Sequence, residues 1–252
     1  MFFMKQLSKW IKQLSFNKKI LLLGLLASAI AFSSLLGAMW LYRDSPTEFW
    51  AGFLTNAGTE LLSIAITVLI LNVFYQRAED ERLKQQLIRE MGSPDNSIAL
   101  RAVQELIAYR WLFDGSLRGA RLGGANLENA NLVSANLEEA ELWRANLSHT
   151  RLRGANLSKA KLQTANLTEA RIIEAKLENV DLSNATLEKA KLWDTSLQGS
   201  ILQMTNFNYA DLRGTNLLNT EISNCEFVET KYSGRTLWPD GFSPDWSYMP
   251  DE

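Results

Sequence analysis

The residues able to do chemistry are few and scattered. The chain has one histidine, His149, and one cysteine, Cys225. No HExxH, CxxC, nucleophile elbow or phosphate-binding loop occurs, so no metal set or catalytic triad is assembled by spacing. Gly119, Gly123 and Gly124 lack the context of a phosphate cradle and fit a tight chain transition instead. One carboxylate stands apart, since Glu60 lies inside an otherwise apolar stretch, where a charged group is costly enough to suggest a function. The remaining charge runs in stripes. Arg121, Glu141, Lys161 and Asp181 alternate in sign at a spacing of 20, whereas Arg151, Arg171 and Lys191 keep one sign at the same spacing. Beside the second stripe stand Arg153, Ile173, Trp193 and Arg213, and arginines next to apolar anchors have the composition of an interaction face.

These stripes are placed by a five-residue phrase that recurs from 115 to 234. Every fifth residue from Leu117 to Tyr232 gives 24 positions, of which 19 are Leu and the rest Ile172, Phe207, Ile222, Phe227 and Tyr232. Two residues before each lies a small one, 14 of the 24 being Ala and none larger than Val180. A period of five fits neither a helix nor a strand. Four pentapeptides per turn make a solenoid, with the large residue (i) and the small one (i−2) inward and i−1, i+1 and i+2 outward. Residues 20 apart then stack at the inter-strand spacing of about 4.8 Å. Six coils follow, each burying its leucines against its neighbours, with both ends needing a cap. Cys225 falls in an inward small slot, which suits a reducing compartment, and His149 falls on an outward i+2 position.

Phrases such as Ala-Asn-Leu-Glu-Asn at 125–129 and Ala-Asn-Leu-Ser-Lys at 155–159 resemble the pentapeptide-repeat family. The resemblance implies a mainly β fold, a right-handed quadrilateral β-helix. It implies no reaction, since members are known chiefly as structural or protein-binding rods, with one subgroup mimicking DNA to bind a topoisomerase. From 115 to 234 there are 13 Lys and Arg against 14 Asp and Glu. A near-neutral rod is a poor DNA mimic and a poor nucleic-acid binder alike.

The apolar excess sits before residue 76. Residues 1–19 place Phe3, Leu7, Trp10, Ile11 and Leu14 at helical spacing with Lys5, Lys9 and Lys12 opposite, an interfacial segment for an anionic leaflet. Residues 20–42 are uncharged and long enough for a first transmembrane helix, and 50–75 form a second. The loop between them permits only a two-helix transmembrane hairpin. Five basic residues flank it before, one lies within the loop and four follow, so both termini are expected in the cytoplasm. Gly52, Asn56, Glu60, Ser63 and Thr67 form a small, polar stripe, which predicts that Glu60 faces the hairpin or a homo-oligomer seam. The run at 58–69 with Glu90-Met91-Gly92-Ser93 makes this half similar to the two-span leader of many cyanobacterial pentapeptide-repeat proteins.

Residues 76–112 read as a short helical linker of two helices that seals the first coil, with Ser93 as N-cap, Pro94 as first helical residue and Ile98, Ala102, Val103, Leu106 and Ile107 on the packing face. After 234 the repeat stops, and 235–252 is a cap or tail carrying Leu237, Trp238, Phe242, Trp246 and Tyr248. The expected function is a membrane-anchored, non-enzymatic β-helical scaffold or protein-interaction module on the cytoplasmic side. It has no cofactor, and its partners are membrane lipid and another protein. The alternative is a membrane sensor in which Glu60 responds to lipid or protons and the rod relays the state.

Overall fold

The computed structural model describes residues 46–242, with several side chains between 46 and 65 left out. The chain divides into two compact units, Met1–Tyr75 and Gln76–Glu252. Helix α1, Pro46–Met91, continues through what the sequence suggests are two elements, 50–75 and the first linker helix. No breaker lies between Tyr75 and Gln76, and pairs such as Gln85–Glu81 and Gln86–Glu90 carry the helical face onward. Among the described residues no helix is long and apolar enough to cross a membrane. The stretches 1–19 and 20–42 lie outside the described residues, as does the side chain of Glu60.

Helix α2, Asn96–Ala108, starts two residues later than expected. Its N-cap is Asp95, whose Oδ1 accepts from Ser97 N at 2.8 Å and Ile98 N at 3.4 Å. Pro94 therefore falls outside the helix, and Ser93 Oγ accepts from Asp95 N within the turn. The packing face is Ala99, Ala102, Val103 and Leu106, while Ile98 is exposed. Together with Leu87, Met91 and Leu112 this face joins the core of the rod. The cap also meets backbone needs of the first coil, since Asn126 N donates to Ser93 O and Asn136 N to Leu112 O. Asn96 Nδ2 donates to the carbonyls of Asn126 and Glu128.

The rod itself is a four-sided parallel β-helix. Bridges join residues 20 apart from Arg121–Glu141 through Asp211–Lys231. Leu117 through Leu217 at position i are fully buried, as is Phe207. Each pentapeptide accounts for its donors in a fixed way. The N–H groups of i and i+2 reach the next coil, as Leu122 N to Glu141 O and Gly124 N to Trp143 O. That of i−1 reaches the previous coil, as Glu141 N to Ala120 O, and that of i−2 closes a turn onto i, as Ala125 N to Leu122 O. The fifth, at i+1, is left for a side chain. Asn or Asp at i−1 supplies the acceptor, as Asn146 Oδ1 to Ser148 N and Asp181 Oδ1 to Ser183 N. That is why Asn and Asp recur before Leu.

The turn forces i+2 into the left-handed region. Eighteen non-glycine residues from Asn129 to Glu229 hold φ between 51° and 62° there. The first coils do not need Gly119 and Gly124 for any special transition, since both occupy this ordinary i+2 position.

Hydroxyls enter the interior in the later coils. Ser200 Oγ donates to Leu177 O at 2.7 Å and accepts from Val180 N at 3.1 Å, so it stands inside the turn of the coil before. Thr215, Thr230 and Thr236 donate to the carbonyls of Leu192, Phe207 and Leu212. Cys225 Sγ takes the same place against Leu202 O, and burial pushes its thiol up, away from reactivity.

The rod continues past 234, contrary to the sequence reading. Asn216 bridges Leu237, a spacing of 21, so one inserted residue lets Thr236 and Trp238 resume the inward slots. Trp238 meets Tyr232, Phe227 and Phe242 at 5.8, 6.0 and 5.2 Å between rings, which closes the last coil. Leu237 instead points outward and is exposed. Trp246 and Tyr248 lie outside the described residues.

Candidate functional site

With the interior filled, the outer faces carry whatever the rod does. The four columns of i−1 residues differ sharply in charge. The alternating column forms one ion pair, Lys161–Glu141 at 3.0 Å. Asp181 turns instead to Ser183 and Gln163, whose hydrogen bonds outweigh its burial and hold its carboxyl below the usual range. The alternating column thus supplies a single link, worth at most about 1 kcal/mol at the surface.

The basic column behaves otherwise. Parallel bridges place Arg151 beside Arg171 and Arg171 beside Lys191. All three are exposed. No carboxylate among the described residues pairs with Arg151 or Arg171, and Lys191 lies with Nζ 5.8 Å from the Trp193 ring centre. The i+1 column of the same face is engaged. Arg153 pairs with Glu174 at 2.9 Å. Arg213 grips Asp211 with Nε and Nη2, both at 2.9 Å, and lays its guanidinium 5.0 Å from the Trp193 ring centre. Burial works against ionisation of Asp211, yet the hydrogen bonds and charge of Arg213 win and keep its carboxyl below the ordinary range.

Trp193 and Ile173 are half-buried, not the exposed anchors their outward register suggests. The cations on either side cover the indole. What sequence reasoning missed is the neighbouring corner. There the i+2 residues Asn129, His149, Glu169 and Lys189 rise beside Arg151, Arg171 and Lys191 and enclose an open groove of ≈ 620 Å³. His149 Nδ1 meets Glu169 Oε2 at 3.4 Å, so the single carboxylate in the groove has a partner. The signal was available, because i+2 of one pentapeptide and i−1 of the next are only two residues apart. Among the described residues no group of His, Cys, Asp and Glu is arranged to hold a metal ion.

The class defined by this geometry is a four-sided β-solenoid built from five-residue units. Residues 116–142, 130–168 and 165–203 match the pentapeptide-repeats model in eight copies. No curated protein matches the chain. Solved structures similar to it include a pentapeptide repeat protein from the cyanobacterium Cyanothece 51142, 26% identical over 47% of this chain and 90% of that one, TM-score 0.34. Another is a pentapeptide repeat protein from the Arabidopsis thaliana thylakoid lumen, 26% identical over 43% and 68%, TM-score 0.29. A third is HetL, involved in heterocyst differentiation regulation in Nostoc, 24% identical over 50% and 81%, TM-score 0.20.

Proposed function

We propose that the chain is a membrane-anchored, non-enzymatic interaction module whose rod presents its outer faces to a protein partner on the cytoplasmic side. The observation that carries this reading is the solid interior. Every inward slot from Leu117 to Leu217 is filled and buried, so recognition falls to the outside, and one face there is unlike the others in charge.

Support for an anchor comes from α1, where Ile64, Ile66, Val68, Leu69, Ile70, Leu71, Val73 and Phe74 are all exposed. Successive exposed apolar residues clothe a helix on every side, a pattern that belongs in an apolar medium and not at a water-facing surface. The five, one, four distribution of basic residues supports a cytoplasmic rod.

Crosslinking in native membranes, followed by mass spectrometry, tests the module, and recovery of one recurrent protein is the expected result. Reporter fusions after Gly92 and after Glu252 test the topology. Both should be active only as cytoplasmic reporters, and an exported signal at either site rejects the hairpin.

A further inference from the structure

We propose that the corner groove beside Arg151, Arg171 and Lys191 receives a short, extended acidic segment of a partner protein, carrying two carboxylates two residues apart. The inference rests on the interaction-module reading and names the chemistry of its partner.

Three observations lead to it. The bridges hold three cations on successive rungs about 4.8 Å apart, an arrangement in which like charges repel across the sheet. On the same face Arg153 pairs with Glu174 and Arg213 with Asp211, whereas Arg151 and Arg171, like Arg121, Arg144 and Lys176 elsewhere on the rod, form no ion pair among the described residues. Lys189, paired with Glu188 at 3.6 Å, adds a fourth cation to the same groove, whose one lining carboxylate, Glu169, is turned to His149.

The length of the basic run selects the ligand. It stops at neutral Asn131 on one side and at Asp211, occupied by Arg213, on the other. Three rungs therefore span about 9.6 Å. In an extended peptide, side chains on one edge repeat at about 6.8 Å, so two carboxylates fit over the run and a third overshoots. The forked guanidinium of each arginine matches a carboxylate with two donors. A nucleic-acid strand carries a charge about every 3.4 Å along its whole length, and would run from the groove onto Asp211 and Glu229.

The test uses the full chain in neutral detergent and a fluorescein-labelled peptide Gly-Ser-Glu-Ser-Glu-Ser-Gly, read by fluorescence anisotropy at low salt. Binding is expected, with the Gln-for-Glu peptide at least tenfold weaker. Arg151→Gln with Arg171→Gln should weaken the acidic peptide at least tenfold, while Lys161→Gln on another face should not. Arg171→Glu supplies a fold control, because it makes the column alternate as Arg–Glu–Lys. It should raise the melting temperature and still abolish binding. Equal binding to the double variant overturns the proposal. So does tighter binding of single-stranded DNA or of phosphatidylserine vesicles at the same residues. If the peptide does not bind at all, the acidic segment is wrong, while the interaction module stands or falls separately by the crosslinking.

Discussion

The indole of Trp143 occupies the space that a side chain at position 123 would need. A Cβ built on Gly123 would stand 2.3 Å from Trp143 Cε2 and 2.5 Å from Cζ2. The two are i+1 residues of consecutive coils, so the contact repeats the 20-residue register on the outside of the rod. Gly123→Ala should therefore cost about 1 kcal/mol, with part of the strain relieved as the exposed indole swings away. In the Trp143→Ala background the same change should be nearly silent. Denaturant unfolding of the four chains of this cycle measures the coupling, and additive effects would mean that the indole does not hold this place.

A second prediction concerns Ser200. Thr205, Thr215, Thr230 and Thr236 add a donor to a carbonyl that keeps its turn bond, as Thr215 does at Leu192 O, which also accepts from Thr195 N at 3.2 Å. Ser200 instead stands between Leu177 O and Val180 N, bonding to both. Its removal leaves two buried backbone groups to rejoin across a shifted turn. Ser200→Ala should cost about 1–3 kcal/mol and Thr215→Ala less, by chemical denaturation. A larger loss for Thr215→Ala would show that the turn at 177–180 closes readily without the hydroxyl.

Much of this architecture was legible in the residues. The period of five dictated which side chains point inward, because a single stacked leucine column tolerates no other register. The turn was legible only in part. Gly154, Gly199, Gly214, Asn129 and Asn179 mark the left-handed position, but Lys159 and Glu169 adopt it with no such signature, held there by coil-to-coil hydrogen bonds. The inserted residue before Thr236 was hidden because the repeat no longer spells itself once Trp238 replaces leucine. The site was legible as a charge pattern and not as a shape. Stripes at spacing 20 located Arg151, Arg171 and Lys191, but neither the groove with Lys189 nor the covering of Trp193 by Arg213 follows from counting along one column.

The last prediction is a pH dependence centred on Asp211, which is 9% exposed and held by three donors of Arg213, its backbone N–H at 3.3 Å among them. Its burial opposes ionisation, but the bonds from Arg213 prevail, so the folded pKa lies below the ordinary carboxylate value of about 3.9. A carboxyl depressed by folding contributes stability that is fully present above the unfolded pKa and is lost as pH falls through the folded one. The rod should therefore lose melting temperature as pH drops below about 4. Asp181 shifts in the same direction, through bonds from Ser183 and Gln163 that outweigh its burial, and adds to that slope. Asp211→Asn should lower stability at neutral pH by about 1–3 kcal/mol, because an amide holds the guanidinium less well. It should also flatten the acid limb, since one of the depressed carboxylates is gone. Melting curves of both chains between neutral pH and the acid limb decide the matter. Parallel losses on acidification in the two chains would place the responsible carboxylates elsewhere in the rod.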